Sequence, residues 1–302
     1  MMCVTNKHKQ AGLSLVELMV AVALGMLLML GVMQAFLGSK NIYTSNQELS
    51  EIQESGRFAL ELLTTDIRNA GYKGQCIDAP VNHVEDSVNP LWSRSEGAVV
   101  GWTQGGAPSF ISDSSQSDGV FIQFAVGGGE AHRGASTNSI TNDEVYWDAG
   151  TSSSLKEGDI ALISDGQGCD LFEVDEVGSD YIKKEDDGSK NWSHEYINNF
   201  ELLRLASVAY YIKAENDVPT LHRSYFNYEL DRLDTHALVS GVADIKIEYG
   251  VQKNGATKYF SADKVGADWE NVAAIRVTLD IESASGLKKP FSTLIALRNR
   301  LL

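Results

Sequence analysis

Basic residues, proline and cysteine are scarce in this chain of 302 residues. It carries 25 lysines and arginines against 41 aspartates and glutamates, a formal net charge of −16. A surface of this sign repels nucleic-acid phosphates, so we expect no nucleic-acid partner. None of the five prolines precedes Pro80, so no proline prevents a long helix before that point.

The sequence also lacks the motifs of common catalytic and metal sites. It has no Gly-x-Ser-x-Gly elbow, no His-Glu-x-x-His spacing and no Cys-x-x-Cys pair. The acidic stretches at Asp113–Asp118 and Glu185–Asp187 lack the spacing of an EF-hand and are typical of β-turns. The glycines Gly127–Gly129 are predicted to form a loop. These absences disfavour an enzyme and predict neither a cofactor nor a metal.

Histidines and tryptophans are scattered rather than clustered. The histidines are predicted at the surface or half-buried on strands: His83, His132, His194, His222 and His236. The tryptophans could form a binding surface, since aromatic residues are enriched at interfaces, but most are expected in the core: Trp92, Trp102, Trp147, Trp192 and Trp269.

One long apolar run lies near the N-terminus. No residue from Leu18 to Met33 has a charged or polar side chain, and the exceptions within Leu13–Leu37 are Ser14, Glu17 and Gln34. A helix of about 20 apolar residues spans a bilayer core. A short leader with Lys7, His8 and Lys9 precedes the run.

The small residue Gly12 stands before the apolar run, and Glu17 follows five positions later. An ordinary secretory signal places its small-residue cleavage site after the run instead. The order seen here resembles the type III signal of type IV prepilins and pseudopilins. The resemblance implies that prepilin peptidase cuts after Gly12 and that Leu13, where the family usually has Phe, is then N-methylated.

Glu17 is the one charged residue inside the apolar segment. A carboxylate in an apolar helix costs roughly 2.5–3.5 kcal/mol on insertion scales and usually has a functional partner. The α-amine of Leu13, in this subunit or a neighbour, would supply the opposite charge in assembly. The alternative is an ordinary membrane anchor whose Glu17 reaches the interface from the first helical turn. Gly12 and the basic leader favour the first interpretation.

Helical periodicity continues beyond Leu37 to about Ala70, and Gly71 is a suitable stop. The apolar stripe of this amphipathic part consists of Leu49, Ile52, Gly56, Ala59, Leu60, Leu63, Ile67 and Ala70. The sequence therefore predicts a leader over 1–12, a transmembrane or filament-core helix over 13–37, an amphipathic continuation over 38–70 and a β-rich domain over 71–302.

The region after Gly71 is rich in β-branched residues separated by glycine and serine turns. Predicted strands span residues 98–103, 120–126, 144–147, 159–164, 171–177, 206–213, 220–226, 242–250, 273–282 and 291–298. Long polar loops are predicted at Ser109–Asp118, Gly127–Ser139 and Glu185–Ser193. Clean alternation in several strands predicts an α+β fold, a long helix packed on an antiparallel sheet.

Further stretches resemble PilW-type minor pilins: Gln53–Glu61, Asp66–Tyr72, Val208–Ile212, Leu221–Arg223, Leu238–Val242, Ile247–Gly250 and Thr293–Arg300. Residues 79–139 match no known pattern. J-type minor pseudopilins of type II secretion are similar in architecture and stay an alternative.

Three cysteines occur, and Cys3 would leave with the leader. Cys76 and Cys169 then form an even pair in an extracytoplasmic domain, which suggests a disulfide. Two free thiols that never meet are the alternative.

The resemblance implies a non-enzymatic minor pilin that primes pilus assembly and caps the fibre tip. The implied partners are other minor pilins, the major pilin, prepilin peptidase and the inner-membrane assembly platform, with a tip adhesin left open. The implied location is a single pass of the inner membrane with a periplasmic C-terminal domain, and later the pilus. A J-type pseudopilin, a surface adhesin or binding module, and a membrane-anchored enzyme are the competing hypotheses.

Overall fold

The structure, a computed structural model, describes residues 14–84, 98–108, 111, 117–134, 143–148, 152–185, 191–197, 199–227 and 232–300. Its internal contacts divide the chain into two units between Glu51 and Ile52, which are described in turn.

Helix α1 spans Leu15–Asn69, 55 residues, close to the predicted helix. Ser14 caps it, because the Ser14 hydroxyl accepts a hydrogen bond from the backbone N–H of Glu17 at 3.2 Å. Every residue from 14 to 47, within the first unit, is exposed. An apolar helix with no buried side then needs lipid or other chains to cover it.

The last turns of α1, in the second unit, bury one stripe of the helix. Ile52, Gly56, Ala59, Leu63 and Ile67 are the buried residues, and each belongs to the predicted apolar stripe. The helix stops before Gly71, whose φ of 76° favours glycine.

The strands of the second unit are β1 (Val81–Asn82), β2 (Val99–Trp102), β3 (Gly119–Arg133), β4 (Glu144–Tyr146), β5 (Ile160–Ser164), β6 (Cys169–Val177), β7 (Tyr181–Lys184), β8 (Asn199–Glu215), β9 (Val218–Asn227), β10 (Arg232–Ser240), β11 (Val242–Lys253), β12 (Ala256–Phe260), β13 (Val272–Glu282) and β14 (Lys288–Ala296). A short helix, α2 (Ala262–Val265), and two 3-10 turns, Asp268–Asn271 and Arg298–Arg300, complete the described elements.

Two sheets form in the described part of the chain. The first has ten strands and the main order β10-β9-β8-β5-β6-β7-β4, with β3 on β8, β2 on β3, and β1 on β6. The second has the order β12-β11-β13-β14. The strand pairs are antiparallel except for the short β1–β6 pair. The long helix and the antiparallel strands confirm the predicted α+β class.

The main core joins the α1 stripe to both sheets. Ile52, Leu63 and Ile67 share one hydrophobic cluster with Tyr210 of the first sheet and Ile275 of the second. Gly56 is required at its position, because a Cβ there would lie 2.6 Å from the Phe291 ring of β14. Separate clusters around Trp147 and around Cys169 fill other parts of the first sheet.

The loop predicted at Gly127–Ser139 is wrong over its first half. Strand β3 runs on to Arg133, and its register against β8 shifts between Val126 and Glu130. The glycines are therefore accommodated in a bulge within the strand, where β3 has two more residues than β8 between the paired positions.

Candidate functional site

The exposed half of α1 is the first candidate functional segment. Within the described residues, α1 is the one helix long and apolar enough to cross a membrane, with a mean hydropathy of 2.5 over its most apolar window. Glu17 is exposed in its first turn. The N-terminal end of a helix favours a carboxylate, so Glu17 is compatible with the helix dipole. Gly12 and Leu13 lie outside the described residues.

The structure joins Cys76 and Cys169 in a disulfide, with the Cα atoms 5.5 Å apart. The bond links the segment after α1 to the first residue of β6. Five residues later, β1 pairs with β6 in parallel, with Val81 opposite Asp170. These two links fix the segment that carries His83.

His83 reaches a buried carboxylate, Asp170, which lies next to Cys169 in sequence. The His83 Nε2 and Asp170 Oδ1 atoms are 2.7 Å apart, and both side chains are fully buried. The Tyr196 hydroxyl donates to Asp170 Oδ2 at 2.5 Å, and the Ser193 hydroxyl donates to the same oxygen at 2.7 Å. The Asp170 carboxylate is therefore hydrogen-bonded to three side chains, those of His83, Tyr196 and Ser193.

The pKa of Asp170 is set by opposing effects. Burial raises it, but the hydrogen bonds from His83, Tyr196 and Ser193 outweigh burial, and the pKa is lowered overall. Burial and the nearby Asp170 carboxylate raise the pKa of Tyr196 far above its usual range. The tyrosine therefore stays protonated and the aspartate stays ionised at neutral pH.

Ser193, His194 and Asp165 form a chain of contacts that superficially matches a hydrolase triad. Ser193 Oγ is 3.2 Å from His194 Nδ1, and His194 Nε2 is 2.9 Å from Asp165 Oδ2. The serine hydroxyl carries one hydrogen, however, and its shorter contact is with Asp170. The imidazole is therefore not placed as the base that activates this serine. These contacts hold the loop of 191–197, through Asp165 on the turn between β5 and β6 and through Asp170 on β6.

A second polar cluster attaches α1 to the first sheet. Asp66 Oδ2, near the end of the helix, accepts from the Tyr210 hydroxyl at 2.6 Å and from Arg223 Nε at 3.0 Å. Burial and the Asp66 carboxylate raise the pKa of Tyr210 well above its usual range. Tyr210 and Arg223 are directly opposite each other on β8 and β9, so both point at the same helix position.

The histidine prediction is wrong for three of the five residues: His83, His132 and His222 are buried. Their neighbours explain this, since His83 pairs with Asp170, His132 packs 4.5 Å from the Trp147 ring, and His222 Nδ1 contacts the Thr220 carbonyl. Trp102, Trp147 and Trp192 are buried as expected. Trp92 lies outside the described residues.

Metal ligands do not gather in the described part of the chain, where no group of three or more His, Cys, Asp or Glu side chains is arranged to hold an ion. Asp118, the described end of one acidic stretch, instead accepts a hydrogen bond from the Ile247 backbone N–H at 3.0 Å. Burial raises the pKa of Asp118. Residues 113–116 and 186–188 lie outside the described residues.

The comparisons with known families fall on both ends of the chain. Residues 7–33 match the prokaryotic N-terminal methylation motif, which covers the end of the leader and most of the apolar segment. Residues 209–293 match the type IV pilus-assembly protein W, from β8 into β14. The matches support a type IV pilus minor pilin of the PilW type. No curated protein sequence matches this chain.

The PilW match includes Tyr210 and Arg223 but ends before the last 3-10 turn. Both matched families are structural pilus components rather than enzymes. A pilin-like motif beside an exposed apolar helix indicates membrane anchoring and association with a pilus.

Sequence reasoning missed both polar clusters. His83 and Asp170 are 87 positions apart, and Asp66 and Arg223 are 157 positions apart. The available signals were weak: Asp66 precedes a predicted helix stop, and Asp170 directly follows a cysteine.

Proposed function

We propose that this chain is a minor pilin that takes part in initiating type IV pilus assembly and sits at the fibre tip. The observation that carries the proposal is a helix that is exposed from residue 14 to 47, apolar up to Leu37 and overlapped by the N-terminal methylation motif. A helix of that kind is stable when lipid or neighbouring helices cover it. The membrane supplies the lipid first, and a growing fibre then supplies the neighbouring helices.

Processing comes first in the proposed mechanism. Prepilin peptidase removes Met1–Gly12, and the new N-terminal Leu13 is N-methylated. The helix over 13–37 then holds the subunit in the inner membrane, with the C-terminal domain in the periplasm. The exposed Ser14 cap and Glu17 lie in the first turn of that mature helix.

Assembly then uses the single charge of the apolar segment. Glu17 pairs with the N-terminal amine of a neighbouring subunit, which offsets the cost of a carboxylate in an apolar setting. The apolar helices bundle as subunits leave the lipid. The amphipathic continuation over 38–70 carries the β domain of 71–302, which selects the other minor pilins, the major pilin and any tip adhesin.

The proposed role is non-enzymatic. The Ser193–His194 contact and the His83–Asp170 pair are assigned structural roles, because Ser193 and His83 both bind Asp170 of β6. The Cys76–Cys169 bond is proposed to form in the periplasm, the oxidising compartment in which such bonds persist.

The test is a deletion strain scored for surface pili, twitching motility and secreted enzymes. A plasmid with the unaltered gene is the control for polar effects. Loss of pili and twitching with normal secretion is the expected outcome. Restored piliation on complementation would show that the loss is caused by the deleted gene itself. Loss of secretion with normal pili would instead identify a J-type pseudopilin. Normal pili and normal secretion would contradict the assembly role altogether.

A further inference from the structure

An open cleft lies on the face of the first sheet that also carries α1. Its volume is about 320 Å³, within the range of small-ligand sites. Arg204 and Val126 are cross-strand neighbours on β8 and β3, while Val208 and Tyr225 are neighbours on β8 and β9. Side chains alternate along a strand, so Arg204 and Val208 share this face.

Positive charge is concentrated in the cleft although the whole chain has a net charge of −16. Three cationic side chains line it, Lys156, Arg204 and Arg223, together with one carboxylate, Asp159. An excess of charge of one sign in a concave site focuses the field on a ligand of the opposite sign. The cleft is therefore built to attract an anion.

The two arginines differ in what they already bind. Arg223 is held by Asp66 at 3.0 Å, which fixes its position and offsets its charge. The Arg204 backbone pairs within the sheet, but its exposed side chain makes no hydrogen bond or ion pair with any residue that the structure describes. A guanidinium presents a planar fork of donors that matches a carboxylate. Arg204 is thus the group placed to bind one.

The remaining lining selects among anions. Asp159 is buried and accepts a hydrogen bond from the backbone N–H of Lys156 at 2.9 Å. Its negative charge disfavours a ligand with two anionic groups, but a carboxylate accepts hydrogen bonds from hydroxyl groups. The partly buried Val126 and Tyr225 add an apolar wall. A compact monocarboxylate with several hydroxyl groups satisfies all three features.

We propose that this cleft binds an acidic sugar unit, with the sugar carboxylate on Arg204 and its hydroxyl groups towards Asp159. The site goes beyond pilus assembly, because a tip subunit with such a cleft would contact uronic-acid polymers directly. The proposal does not depend on piliation, and its test uses purified protein.

The test is saturation-transfer NMR on the full chain in detergent micelles, with D-galacturonate as probe and D-galactose as its neutral match. We expect saturable binding of galacturonate and much weaker binding of galactose. Arg204→Gln should weaken galacturonate binding by at least about tenfold, the effect of losing a charge-assisted hydrogen bond. Arg133→Gln, which changes an exposed arginine outside the cleft, should leave it unchanged.

Each other result overturns the proposal. Equal binding of galactose would show that the carboxylate is not recognised. Unchanged binding by Arg204→Gln would move the site elsewhere. No saturable galacturonate binding, or binding of a glutamate-containing peptide in its place, would exclude an acidic sugar as the ligand.

Discussion

Asp66 in helix α1 and Arg223 in strand β9 form an ion pair, with Nε and Oδ2 3.0 Å apart and 157 positions between them in sequence. The same carboxylate oxygen binds the Tyr210 hydroxyl at 2.6 Å. The pair is partly shielded, since the Asp66 side chain is 15% exposed and that of Arg223 is 31% exposed. Its contribution therefore exceeds that of a fully exposed ion pair, which is usually small.

Asp66→Ala should lower the free energy of unfolding by about 1–3 kcal/mol, because the buried Tyr210 hydroxyl and the Arg223 guanidinium lose their acceptor. Denaturant unfolding of the full chain in detergent measures the change. Glu61→Ala alters an exposed carboxylate on the same helix and should stay within about 0.5 kcal/mol of wild type. Equal effects in the two variants would show that the Asp66 contacts contribute nothing specific.

Replacing Cys76 and Cys169 together by alanine should destabilise the β domain by about 2–5 kcal/mol, because the bond closes a loop with a sequence separation of 93. Thiol titration of the unfolded wild-type protein, before and after reduction, counts the cysteines that are bonded. Reduced wild type should match the double variant in stability. Two titratable thiols in the unreduced mature protein would contradict the bond.

Acid should destabilise the protein through Asp170 and Asp165, whose pKa values are both lowered from 3.8 in the folded state. Burial raises each pKa, but hydrogen bonds outweigh it, from His83, Tyr196 and Ser193 to Asp170 and from His194 to Asp165. A group with a lowered folded pKa binds more protons when unfolded, so stability rises with pH across that range. The stabilisation is complete above the ordinary carboxyl pKa and is lost as pH falls through the folded values.

The measurement is the free energy of unfolding as a function of pH, from neutral to below 3.8. Asp170→Asn should be less stable at neutral pH and should show a flatter acid limb than wild type. A parallel acid limb in the variant would exclude Asp170 as a source of the pH dependence.

Gly12→Asp should block removal of the leader, because prepilin peptidase requires a small residue there. Intact mass spectrometry of membrane-extracted protein distinguishes the two lengths. Gly12→Ala keeps a small residue and should be processed. If Gly12→Asp still had the mass of the protein without residues 1–12, the requirement for a small residue at the cleavage site would be contradicted.

Glu17→Gln should leave membrane insertion intact and reduce incorporation into fibres, because the amide cannot pair with a neighbour's amine. Membrane fractionation and counts of surface pili report the two properties separately. Glu54→Gln changes an exposed glutamate of the same helix beyond the apolar segment and should assemble normally. Wild-type piliation with Glu17→Gln would remove the proposed charge pairing.

Local patterns predicted the helix and ten of the strands, because hydrophobic periodicity and turn-forming residues depend only on residues close together in sequence. The predictions missed β1, β7, β10 and β12, of which β1 and β7 have two and four residues. Division into two sheets was not predicted either, since pairing depends on contacts far apart in sequence. The Asp170 cluster illustrates the same limit, because its donors come from two segments that are distant from each other in sequence, one with His83 and one with Ser193 and Tyr196.

The contact of Gly56 with Phe291 also affects when the domain can fold during synthesis. Residues 52–67 leave the ribosome well before the β13 and β14 residues of the same core, and Asn299 reaches back to the Ala70 carbonyl. The nascent subunit therefore holds an incompletely covered apolar stripe until β13 and β14 have been made. A chain truncated before β13 could not fully bury that stripe, so β13 and β14 must be exported before the domain can close.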